Sequence, residues 1–175
     1  MRPPRFETER LVLRPMTLDD YAFMRELDTD PKVCRYLGHG RTKTPDETAE
    51  IIKKNLNHYQ EHGLSLYLVE EKVSGKPIGR SGLIPWQLET GFHWEVGYTF
   101  AHTHWGKGYA TEAARFLARY AFESLKANHV ISLIHPHNTS SIHVAKKIGM
   151  KFWRTHTLKE LEVSTYRMES SSSEL

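Results

Sequence analysis

Trp105-Gly106-Lys107-Gly108-Tyr109-Ala110-Thr111-Glu112-Ala113 is the stretch on which the reading of the chain turns. It follows an alternating run that ends at Phe100 and precedes an alanine-rich run at helical spacing, so it is a strand-to-helix turn. Small residues at 106, 108 and 110 let main chain approach a ligand closely, and the first amides of a helix have no partner inside it. Together with the positive end of the helix dipole and the Lys107 side chain, those amides form a site suited to a diphosphate. A plain glycine turn capping a core helix has the same letters, so the surrounding pattern must decide. Two other phosphate motifs do not fit: there is no G-x-x-x-x-G-K with a following Ser or Thr, and no complete G-x-G-x-x-G after a leading parallel strand.

Towards the N terminus, residues 93–100 alternate, with Trp94, Val96, Tyr98 and Phe100 on one face and His93, Glu95, Gly97 and Thr99 on the other. This predicts a strand with one buried side and one side facing the site. Residues 64–71 also have period two, and 77–85 form the return strand of an antiparallel hairpin around Ser74 and Gly75, with Gly79 and Gly82 inviting a bulge. Thr44, Pro45, Asp46 and Glu47 make a capping box with proline at the first helical position, opening a helix that Gly63 closes. Before it stand a short apolar strand at 11–13, a helix from Thr17 to about residue 28, and a turn begun by Asp30 and Pro31. Towards the C terminus the spacing predicts a helix over 109–125, a strand over 130–134, a helix over 140–148 stopped by Gly149, and strands over 152–158 and 161–168. Residues 1–169 read as a single domain and the polar stretch 170–175 as a disordered tail. The class is mixed α/β (α+β) with a mostly antiparallel sheet.

Among the 175 residues, 24 Lys and Arg face 21 Asp and Glu, interleaved without runs, a balance that does not call for a nucleic-acid partner. Cys34 is the only cysteine, so an internal disulfide or cysteine zinc site cannot form, which fits a cytoplasmic location. The first residues alternate charged with apolar positions, unlike a secretion signal, and no apolar run is long enough for a membrane span; a soluble protein without a membrane partner is expected. His102 with His104 and His135 with His137 have the spacing of one strand face, but no carboxylate or cysteine joins either pair, so no metal is expected.

The string W-G-K-G-Y-A-T-E-A resembles the acyl-coenzyme A signature of the GNAT superfamily of N-acetyltransferases, usually written Gln or Arg, x, x, Gly, x, Gly or Ala. Gly108 and Ala110 match. Trp105 replaces the Gln or Arg, leaving its main-chain amide to serve, and a tryptophan here is similar to the ribosomal-protein N-terminal acetyltransferase (RimJ/RimL-like) branch. The likeness runs from Glu7-Thr8-Glu9-Arg10-Leu11-Val12-Leu13-Arg14-Pro15 through Gly75 to Gly82 and on to Phe152, with a second motif in Asn138, Ser141, Val144, Lys147, Gly149 and Phe152. It implies a GNAT-like sheet of about six to seven strands flanked by about four helices. It also implies a V-shaped opening between the fourth and fifth strands, here 93–100 and 130–134. The pantetheine arm of acetyl-CoA would enter there along the main chain of Tyr98, Thr99 and Phe100. Trp105, Gly106, Lys107, Gly108, Tyr109, Ala110 and Thr111 would surround the diphosphate, and Asn138 would hold the arm.

Acetyl transfer to an amine needs an uncharged nucleophile, a polarised carbonyl and a proton for the departing thiolate. Glu95 is the candidate base, against the reading of an ordinary strand carboxylate. Glu112 is its rival, although its place in a first helical turn explains it through the dipole. Ser141, by similarity to the branch, is the candidate proton donor to sulfur, with a capping serine as the plainer reading. The acceptor is a primary amine, either a protein N-terminal α-amino group or a small molecule; Trp86, Phe92 and Trp94 lie on its side. A non-catalytic acyl-CoA-binding domain would share the loop without needing Glu95 or Ser141. The terminal hairpin offers a surface for a homodimer.

Overall fold

In the computed structural model, which describes residues 2–171, the chain begins with β1 (Phe6–Glu7), β2 (Leu11–Pro15), a 3-10 turn (Leu18–Asp20), α1 (Tyr21–Thr29), α2 (Pro31–Cys34) and α3 (Pro45–His62). Then come β3 (Leu66–Glu71), β4 (Pro77–Leu88), β5 (Gly91–Phe100), a second 3-10 turn (His102–His104) and α4 (Tyr109–Glu123). The last elements are β6 (His129–Ile134), α5 (Thr139–Lys147), β7 (Lys151–Leu158) and β8 (Leu161–Glu169). The caps expected for α3 are present: Thr44 Oγ1 accepts from the Glu47 amide at 3.2 Å, Glu47 accepts from the Thr44 amide at 2.8 Å, and Gly63 sits at φ 77°.

The strands form one sheet in the order β1-β2-β3-β4-β5-β6-β8-β7. Neighbours are antiparallel except β5 and β6, which pair in parallel at Glu95 and Ile131. Alternate residues of β4 reach opposite faces. Arg80 meets Asp28 of α1 at 3.1 Å and Trp86 lies under Lys54 of α3, whereas Gly79 leaves room for the ring of Phe100, which stacks on Tyr109 of α4. Helices α1 to α3 thus cover one face, and α4, with α5 packed beside it, covers the other. The core includes Leu11, Leu13, Tyr67, Leu83, Val96, Ala113 and Leu117, all buried.

The sheet has eight strands and the described residues hold five α-helices, more than the six to seven and about four expected. The added strand, Phe6–Glu7, is too short for any alternation to show. The expected bulge lies in β4 beside Gly79: Val69 pairs with Gly79 and Glu70 with Pro77, so Ile78 is the extra residue. Gly82 serves close packing, since a Cβ there would stand 2.0 Å from the Ser65 carbonyl oxygen. The Ser170 amide donates to the Asn128 carbonyl at 2.8 Å, and the rest of the expected tail from 172 onward lies outside the described residues. No helix among the described residues is long and apolar enough to cross a membrane.

Candidate active site

The glycine turn runs directly into α4. Gly108 is the N-cap of α4 at φ 79°, in the left-handed region, and having no side chain it leaves the first-turn amides without a side-chain cap. Its neighbourhood is braced from the turn between β1 and β2. Arg10 donates to Glu112 from its amide at 2.8 Å and from Nε at 2.7 Å, and to the Lys107 carbonyl at 2.8 Å. Thr8 adds a bond to Glu112 at 2.6 Å, and the Arg10 guanidinium lies over the Tyr109 ring. Burial pushes the Glu112 carboxyl up, but the bonds from Thr8 and Arg10 outweigh it and hold the group below its usual range. Glu112 is therefore a structural anchor between the β1–β2 turn and α4 and more than a dipole partner.

Beside this turn lies a cavity of about 1080 Å³. It is lined by Tyr98, Thr99, Phe100, Trp105, Gly106, Gly108, Tyr109, Ala110, Thr111, Asn138 and Ser141, so nearly every residue expected to hold cofactor faces one space. The N-termini of α4 and α5 both open into it. Asn138 caps α5, its Oδ1 accepting from the Ser141 amide at 3.2 Å, which leaves the Nδ2 atom to donate. Ser141 Oγ is 3.2 Å from the Tyr98 hydroxyl, which itself donates to the Ser141 carbonyl at 2.8 Å. Burial pushes the Tyr98 phenol up to about 12, so it stays protonated. A large space with uncapped helix amides and a hydroxyl pair suits a diphosphate carrying a thioester arm.

Three expectations change here. The Trp105 amide is not free, because it donates to the His102 carbonyl at 3.2 Å in a 3-10 turn, and its indole N–H is taken by the Phe100 carbonyl at 2.8 Å. Lys107 contributes its carbonyl to Arg10 and lies outside the cavity lining. His93, placed by alternation on the site-facing side, is 3% exposed, bonded to His129 at 2.8 Å and to Thr90 at 2.8 Å.

Glu95 also lies outside the lining, on the α3 side, where β5 and β6 part. After the Glu95–Ile131 pair the strands are joined by side chains: Ser132 Oγ donates to the Val96 carbonyl at 2.8 Å and the Leu133 amide points at Glu95 Oε1 at 3.4 Å. The Trp86 indole N–H donates to the other carboxylate oxygen. Burial dominates, and despite those donors and the Lys54 charge it pushes the carboxyl up to about 7. One wall of the cavity comes from a segment that carries no recognisable code in sequence. Lys32, Val33, Arg35, Tyr36 and Leu37 close it. This segment is tied to both limbs of the opening, Asp30 pairing with His102 beyond β5 and Tyr36 packing on His135 beyond β6 at 5.1 Å. The His102 bond holds the Asp30 carboxyl below its usual range. No local signal marks these contacts, which exist only once the sheet forms.

A mostly antiparallel sheet that opens at its one parallel junction, beside a cavity headed by two helix N-termini, defines an acyl-coenzyme A-dependent transferase. The Acetyltransferase (GNAT) domain family matches residues 10–151, and the chain belongs to that family. It is 36% identical over 164 residues to the uncharacterized protein YkkB of Bacillus subtilis, covering 93% of this chain and 94% of that one. It is 29% identical over 161 residues to the uncharacterized N-acetyltransferase p20 of Bacillus licheniformis, covering 92% and 89%. The acetyltransferase of Agrobacterium tumefaciens has a solved structure that matches with a TM-score of 0.80 at 27% identity, covering 97% of this chain and 96% of that one. The protein is an acetyl-CoA-dependent N-acyltransferase with the GNAT fold.

Proposed function

We propose that the protein moves the acetyl group of acetyl-CoA directly onto a primary amine in a ternary complex, with Glu95 as base and Ser141 as proton donor. The observation that carries this reading is a carboxyl group pushed up to about 7 at the point where β5 and β6 separate. A group poised near 7 is half ionised at neutral pH and accepts a proton without being trapped as a strong acid's anion. As the amine nitrogen bonds to the carbonyl carbon, its proton passes to Glu95, directly or through a water. The carbon–sulfur bond breaks, its electron pair leaves on sulfur, and Ser141 Oγ supplies a proton there.

In this reading the first-turn amides at Tyr109, Ala110 and Thr111, with the main chain of Gly106 and Gly108, hold the diphosphate. The main chain of Tyr98, Thr99 and Phe100 and the Asn138 side chain guide the arm. The acceptor is a protein N-terminal α-amino group or a small amine. The likeness to the ribosomal-protein branch favours the former, as does chemistry, since an α-amine near 7.8 is roughly a tenth neutral at pH 7. The terminal hairpin, whose β7 is a sheet edge, serves as the homodimer surface.

Free thiol release with a panel of amines tests the assignment. Glu95→Gln is expected to lower kcat/KM about a hundredfold or more. The wild-type profile should rise with pH through about 7, and that limb should be missing in the variant. Ser141→Ala should cost only about tenfold, because a thiol pKa near 8.5 makes sulfur an easy leaving group. Wild-type rates from Glu95→Gln, with the acid limb retained, would remove Glu95 from the chemistry.

A further inference from the structure

On helix α3, Lys54 and His62, two turns apart, face the β4–β5 hairpin, and His58 between them bonds Ser65 at 3.0 Å. Lys54 Nζ stands 5.3 Å from the centroid of the Trp86 ring, and the same indole donates its N–H to Glu95. Further along, the His62 ring lies 6.1 Å from Phe92 and 6.3 Å from Trp94, and Phe92 is 45% exposed. The approach to Glu95 from this side is therefore aromatic and basic. The adjacent Lys53 pairs with Glu50, whereas no carboxylate among the described residues is within ion-pair distance of Lys54. An exposed ammonium thus sits one indole width from the carboxyl assigned as base.

We infer that the acceptor is an amine bearing a carboxylate a few bonds from its nitrogen, the nitrogen set at Glu95 and the carboxylate at Lys54. The inference rests on Glu95 marking the acceptor nitrogen, as proposed above. Charge complementarity supports it: a polycationic amine would bring a second ammonium up to Lys54 and be repelled. An acidic amine places opposite charges on both sides of Trp86, and the ring fills the space between them. Trp86 also links the two ends physically, so the spacing between nitrogen and carboxylate is selected along with the charge.

The test compares matched pairs in the thiol-release assay: free glutamate with its diamide, which has no carboxylate, and peptide amides beginning with Glu with those beginning with Gln, alongside spermidine. The carboxylate member should have the higher kcat/KM by roughly fivefold, the upper range for a solvent-facing ion pair, in at least one pair. Which pair shows it identifies a free amino acid or a peptide terminus as the source. Lys54→Met should bring the ratio near one and Lys54→Glu should invert it while raising spermidine turnover; Lys53→Met, on the neighbouring position, should leave the ratio alone. Equal rates within both pairs, or a preference that survives Lys54→Met in a variant with wild-type melting, overturns the inference. Glu95→Gln should slow both members of a pair alike, so a wrong base shows in the rates and a wrong acceptor in their ratio.

Discussion

Folding takes up a proton at Glu95, because burial pushes its carboxyl from the ordinary 4.5 to about 7. Below 4.5 the group is neutral in both states and costs nothing. Between 4.5 and about 7 the unfolded chain carries the charge while the folded protein resists it, so stability falls as pH rises and the loss is complete above that window. Glu95→Gln removes the charge, and its melting temperature should exceed wild type at pH 8, with the gap closing as pH falls towards 4.5. A differential scan across that range decides it, and a gap that is constant with pH would mean that Glu95 is not strained by burial. The place of Glu95 on a strand was legible in sequence, because residues 93 to 100 alternate cleanly. The Trp105 amide was misread, because its 3-10 bond to His102 depends on a local backbone fold that no spacing encodes.

At the scale of elements, the turn between β1 and β2 grips α4 and the glycine turn that precedes it. Thr8, Arg10 and Glu112 close a bracket whose last member is the Lys107 carbonyl, inside the glycine loop itself. Glu112→Ala leaves Arg10 without its partner and frees the loop. It should raise the KM for acetyl-CoA about tenfold with a smaller change in kcat, given about 1.5–3 kcal/mol for a hydrogen bond to a charged group. Steady-state kinetics at varied acetyl-CoA separates the two, and a loss confined to kcat would instead make Glu112 part of the chemistry. Helix boundaries were readable wherever caps and periods speak locally, as at Thr44 and Gly63. The wall made by Lys32 to Leu37 was not readable, since α2 has four residues and its position comes from Asp30 meeting His102 and Tyr36 meeting His135.

Across the whole molecule, the sheet curls until the β4–β5 turn meets the C-terminal hairpin. Thr90 bonds His93 at 2.8 Å and reaches His156 of β7 at 3.4 Å, and His156 in turn meets Thr165 at 2.6 Å. Burial lowers the affinity of His93, His129 and His156 for protons, with neighbouring histidine and arginine charges acting in the same direction. These groups add stability above their ordinary 6.5, and it is lost as acid protonates the unfolded chain first and the folded cluster later. Denaturant melts should thus show wild type weakening below about pH 6.5, and His93→Phe should flatten that slope; an unchanged slope would show that the cluster does not carry it. The overall class could be read from the succession of periods, but this closure joins positions 36 to 66 residues apart and left no local trace.

The order of strands has a further consequence. Strand β6, one limb of the opening, takes its antiparallel neighbour from β8, with His129 to Ile134 facing Glu169 to Ser164. During vectorial synthesis that limb stays half-made until residues near 169 have emerged, however early the glycine turn and α4 form. A nascent chain whose β8 has not yet emerged therefore has the letters of the glycine turn but not the second bank of the opening.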